Sequence, residues 1–216
     1  MGRKPRGRKA EAMMDLRLPG FGRFRPGNAS AAVFAGPSQA RAYWEGLRSG
    51  CGIPDRAQLD PRGLGGVLDR VFVAEAIGRG LVQVRIAGSL LVETAGMDLR
   101  GLPLSCLFSA DARPQLAKVL ETVISGQALV EIDLANGRGG PVPVARLLLL
   151  PLTDGSERRL VLGCLGVTEG GLGACMKFDI LRCQEEHLNP VAAEVVVPPP
   201  RPERRVPHLT LVHNRD

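Results

Sequence analysis

The chain has 216 residues, of which 44% are apolar and 23% charged, ordinary values for one folded domain with tails. Only eight residues are aromatic, so a core has to be built from Leu, Val, Ile and Ala. The net charge of +6 sits wholly in residues 1–30, where Arg3, Lys4, Arg6, Arg8, Lys9, Arg17, Arg23 and Arg25 face only Glu11 and Asp15; the basic balance therefore belongs to a tail and not to the fold.

Residues 1–36 are rich in Gly, Arg, Ala and Pro without a sustained period, and read as a disordered tail. A helix is expected from Ser38 to Ser49, preceded by Pro37 and stopped by Gly50. Its apolar residues Ala40, Tyr43, Trp44 and Leu47 recur at helical spacing on one face, which should dock on a sheet or on a second subunit. Tyr43, Trp44 and Leu47 are accordingly the candidate dimer contacts.

Asp60-Pro61 opens a turn or short helix containing Leu64, Val67 and Leu68. Two strand-like runs follow, 70–77 and 81–87, joined by Gly78-Arg79-Gly80 as a hairpin. In the second run Val82, Val84 and Ile86 alternate with Leu81, Gln83 and Arg85, as in a half-buried strand. Ser89 can cap a short helical turn, and 99–108 reads as a loop. A helix is expected over 112–124, with Leu116, Val119, Leu120 and Val123 inward and Gly126 ending it. Strands are expected over 128–134, 142–152 and 159–167, separated by Asn136-Gly137 and Asp154-Gly155 turns. Residues 177–188 read as a further strand or helix. Pro198-Pro199-Pro200 and Pro202 mark a stiff linker before the apolar patch His208–Val212.

Helix, two strands, helices and three strands make an α+β fold: a five-stranded antiparallel sheet with helices on one face and an N-terminal flanking helix. That order is similar to PAS domains. The chain resembles small bacterial PAS-like proteins of mostly unassigned function through an ordered set of motifs. These are Trp44, Asp60-Pro61, Arg85-Ile86-Ala87-Gly88, Gly96-Met97-Asp98-Leu99-Arg100-Gly101, Leu149-Leu150-Pro151-Leu152 and Leu162-Gly163-Cys164-Leu165. Ser89 stands where the family more often has Thr. The expected organisation is a basic tail over 1–36, a PAS-like domain over 37–170 and a C-terminal extension with a proline-rich linker over 171–216.

PAS domains often hold a ligand between sheet and helices. The resemblance implies cavity walls from Phe72, Val84, Ile86, Phe108, Leu120 and Leu148, suited to a small apolar molecule, or else a filled core. Arg85 is either a salt-bridged rim residue, an anion-recognising side chain at the cavity mouth, or a dimer contact. No cofactor is expected. His187, His208 and His213 all lie outside the expected domain, which disfavours His-ligated haem, and neither Cys106 nor Cys164 sits in a flavin photosensor segment.

No catalytic residue is assigned, because no His accompanies a Cys or Ser inside the domain. No metal site is expected, since clustered His/Cys spacing is missing. Glu131 and Asp133 share a strand face and read as solvated acids. Gly96, Asp98 and Gly101 lack the Lys-Ser/Thr of a phosphate loop and read as a turn.

Five cysteines without a CxxC pair, no apolar stretch after the N-terminal charges and no run long enough to span a bilayer suggest a reducing, cytoplasmic location without membrane contact. The expected function is a non-catalytic sensory or protein-interaction module in bacterial signalling. It would act as a homodimer, with a signalling protein as a further partner. The alternative is a nucleic-acid-associated protein that uses the basic tail.

Overall fold

The computed structural model describes residue 34 and residues 36–49, 52–137, 142–156, 158–168 and 177–188. The basic residues 1–30, the proline-rich linker and the patch His208–Val212 lie outside the described residues.

Among the described residues three α-helices and six strands follow one another as α1 (Pro37–Leu47), β1 (Val71–Gly78), β2 (Leu81–Ala87), α2 (Ser89–Ala95), α3 (Arg113–Ile124), β3 (Ala128–Asn136), β4 (Ala145–Thr153), β5 (Arg159–Val167) and β6 (Phe178–His187). The strands form one antiparallel sheet in the order β2-β1-β5-β4-β3-β6. The sheet thus has six strands where the sequence suggested five. The segment for which strand and helix were both open pairs along the whole of β3, from Ala128 opposite His187 to Asn136 opposite Phe178. β3 needs that partner, because its peptide groups on the side away from β4 would otherwise be left without a strand.

Strand alternation divides the core into two layers. On the inner face Phe72, Ala74, Val82, Val84, Val130, Ile132, Leu147, Leu149 and Val161 pack with α2, α3 and the loop between them. On the outer face Val71, Val73, Leu129, Leu148, Leu150, Leu152, Leu160 and Leu162 pack with Ala40 and Trp44 of α1 and with Leu64 and Val67. β4 and β5 are therefore buried on both sides, which explains their near-continuous apolar runs.

α1 starts on Pro37, whose missing N–H and fixed φ suit a first helical position. Trp44 is fully buried, and its Nε1–H donates to the Pro151 carbonyl at 2.9 Å. The hydroxyl of Tyr43 engages the backbone of Asp60, accepting from its N–H at 2.6 Å. These contacts hold α1 and the 60s turn to the sheet.

Beside α1 the outer face ends in charge. Arg146 contacts Asp133 at 2.8 Å and Glu131 at 3.4 Å, Arg182 contacts Asp133 at 3.1 Å, and Arg41 reaches from α1 to Glu131 and Glu186. The two acids expected to be merely solvated are thus ion-paired across β4, β3 and β6, with Asp133 only 8% exposed.

Candidate functional site

The residues expected to wall one cavity fall into three places. Phe72, Val84, Phe108 and Leu120 do come together, each at most 1% exposed, within the inner apolar layer. Phe72 lies so close over Gly163 that a Cβ there would sit 2.0 Å from the ring. Side chains thus fill this part of the space beneath the inner helices. Leu148 points the other way and packs under α1. Its place within Leu147–Leu150, apolar on both faces, hides the alternation that would have revealed its side.

Ile86 is 47% exposed on the outer face, against the expectation that it continues the buried series Val82 and Val84. The cause is a β-bulge. Val73 stands opposite Ile86 while Ala74 stands opposite Val84, so Arg85 is the inserted residue and the alternation shifts after it. Arg85 itself is a rim residue whose Nε donates to Glu75 at 2.8 Å.

Among the described residues an open groove of about 1040 Å³ lies on the outer face, beyond the reach of α1. Its floor is Val71, Val73, Ile86 and Leu162, and its far wall is the segment carrying Leu59, Pro61, Leu64 and Leu68. Leu68, like Ile86, is 47% exposed, so apolar surface stands open to solvent on both banks.

The far wall is held close by Gly88, which ends the Arg85–Gly88 motif. A Cβ at Gly88 would lie 2.3 Å from the Asp69 carbonyl oxygen and 2.6 Å from that of Leu68, so only glycine permits this approach. The Gly88 N–H meanwhile donates to the Val71 carbonyl at 2.8 Å. Ser89, the departure from the family pattern, lies on the groove next to it.

The rim is polar, with Asp55, Asp69 and Asp154 against Arg56. Asp55 accepts the Ala57 N–H at 2.7 Å and closes a capping box with Gln58. Asp154 accepts from the Ser156 hydroxyl and N–H, and the hydroxyl bond leads in holding its carboxyl below the usual range. Asp69 pairs with Arg70 at 3.6 Å. Asp154 likewise has Arg158 at 4.0 Å, so polar side chains of both signs surround the apolar walls.

The expected dimer contacts are placed as follows. Trp44 is enclosed by its own chain, Tyr43 is half-buried and bonded to Asp60, and Leu47 is half-buried at the end of α1. A second subunit would not reach Trp44. The Asp98 loop is the turn the sequence suggested: Asp98 Oδ1 accepts the Arg100 N–H at 2.9 Å, and the Gly101 N–H donates to the Val84 carbonyl along the edge of β2.

No group of three or more His, Cys, Asp or Glu among the described residues could hold a metal, and no described helix is long and apolar enough to cross a membrane.

The family model described as "PAS domain" matches residues 35–166, well over half the chain. The chain belongs to the PAS domain family. Comparison with the curated proteins and with solved structures returns no match. The PAS match takes in α1, the inner helices and β1–β5, and β6 lies beyond it. Both the outer-face groove and the motif that shapes it fall inside the PAS region.

The sequence missed the groove because its walls come from three separated segments. One signal was legible: a glycine closing a strand within a quoted motif marks a close backbone approach.

Proposed function

We propose that this PAS protein is a non-catalytic sensory or protein-interaction module that binds an apolar small molecule or partner segment in the outer-face groove. One observation carries the reading: exposed Leu68 and Ile86 face an open groove with apolar walls, while the inner space carries buried side chains. A ligand there would touch β1, β2 and the wall segment together, so binding would bias how that segment sits on the sheet. Signalling by association, as a homodimer or with a second protein, belongs to the same proposal. A reducing, cytoplasmic setting fits thiols that are free at Cys106, Cys164 and Cys183.

The test is native mass spectrometry of the full chain with a neutral apolar dye, in wild type and in Ile86→Asp. The wild type should bind one dye per chain, and subunit number is read in the same spectrum. Ile86→Asp should abolish the dye adduct with an unchanged melting temperature, since Ile86 is half exposed. Undiminished dye binding in the variant would remove the groove from the proposal, and a strictly monomeric spectrum would remove the dimer.

A further inference from the structure

Three features fix what could cover the groove. The first is where the chain leaves the described residues. Leu188 packs against the outer-face cluster that also holds Leu59 and Leu64, two residues of the groove wall, and its N–H donates to Gln127 at 2.9 Å. The chain thus departs on the groove's own side of the sheet.

The second is reach. Seventeen residues, 189–205, separate Leu188 from Val206, enough for roughly 55 Å of extended chain. The third is chemical fit. Residues 201–212 read Arg-Pro-Glu-Arg-Arg-Val-Pro-His-Leu-Thr-Leu-Val: three arginines against one glutamate, then an apolar stretch in which Leu209 and Leu211 would share one side if extended. The groove offers apolar walls for the apolar stretch and, on its rim, the carboxylates of Asp55, Asp69 and Asp154 for the arginines, the latter two shared with Arg70 and Arg158. The sheet edge at β2 is no competing site, because the Gly101–Pro103 backbone already lies along it.

From these we infer that the groove's resident occupant is the protein's own segment 206–212, with Leu209 and Leu211 against the apolar walls and Arg204 and Arg205 near the rim carboxylates. The inference rests on the groove being the binding site. It makes the site self-blocked: an external ligand or partner must displace the segment, and the segment's release is the signal.

The experiment uses the full chain with the photo-crosslinking residue p-benzoylphenylalanine at position 209. Crosslinks within a single chain to residues 55–73 or 86–89 are the expected result. Crosslinks to any other region, or to the groove only between two chains, overturn the inference, the latter in favour of a second copy as occupant. Amide exchange supplies a second reading. Residues 206–212 should exchange about tenfold faster in Ile86→Asp than in wild type, and equal rates would refute the contact.

The apolar dye separates this inference from the reading beneath it. Leu209→Asp with Leu211→Asp should bind dye about fivefold more tightly than wild type. Equal dye affinity in the two proteins sinks the inference and leaves the groove as a ligand site. Crosslinks to the groove with no dye bound by either protein sink the ligand site and leave the contact.

Discussion

Replacing Trp44 by phenylalanine removes two separable contributions to the docking of α1. The indole is fully buried, and the smaller ring leaves roughly 40 Å³ unfilled, which costs about 1 kcal/mol at the usual cavity rate. The Nε1–H bond to Pro151 is also lost, leaving a buried carbonyl acceptor without its indole donor at a cost of about 1–3 kcal/mol. Together these predict a loss of about 2–4 kcal/mol, and a fall in melting temperature of about 4–16 °C for a chain of this size. Far-UV circular dichroism during heating and denaturant titration measure it. Trp44 is the chain's one tryptophan, so fluorescence of the wild type gives a parallel check. Its emission should be blue-shifted and shielded from acrylamide until the protein unfolds. A phenylalanine variant within about 0.5 kcal/mol of wild type, below the range of these mechanisms, would refute the account of Trp44 as the anchor of α1.

Gly88→Ala should destabilise by about 1–3 kcal/mol, because the added methyl meets the backbone of Leu68 and Asp69, which cannot rotate aside; chemical denaturation reads it. Asp133→Ala should cost about 1–3 kcal/mol by leaving Arg146 and Arg182 without their shared carboxylate, whereas Arg41→Ala, at a more exposed pair, should cost under about 1 kcal/mol. The same denaturation series ranks the two, and a reversed order would count against the network. Burial pushes the Cys164 thiol up to about 12, so its native form keeps its proton where the unfolded form loses it. Stability from this group is intact below pH 9.0 and declines between pH 9.0 and about 12, by up to about 1.4 kcal/mol per unit. Cys164→Ala should flatten that decline in a pH series of melts.

Much of the fold was legible because local signals agreed with tertiary ones. The Gly78-Arg79-Gly80 hairpin, the stripe on α1 and the periodic face of α3 each announced an element that the structure contains. What the letters did not carry was side and partner. Alternation is read correctly only until a bulge interrupts it, and Arg85 gives no local sign of being the inserted residue. Leu148 sits in a run apolar on both faces, where period cannot assign a side. β6 mixes Ile180 and Cys183 with Arg182, Glu185 and Glu186, a composition that fits an edge strand but also a surface helix. Its identity is decided by β3, some fifty residues earlier, and that pairing is invisible to any local window.

The sixth strand also sets where this protein can be cut. β3 reads Ala-Leu-Val-Glu-Ile-Asp-Leu-Ala-Asn, and β6 covers the flank it would otherwise present to other molecules. β6 in turn offers the outside world a border studded with Arg182, Glu185 and Glu186, a poor template for a stray strand. A truncation at the end of the family-matched region would trade that charged border for a greasy one. Such a fragment should precipitate or form strand-paired aggregates even though every residue of its PAS region is intact.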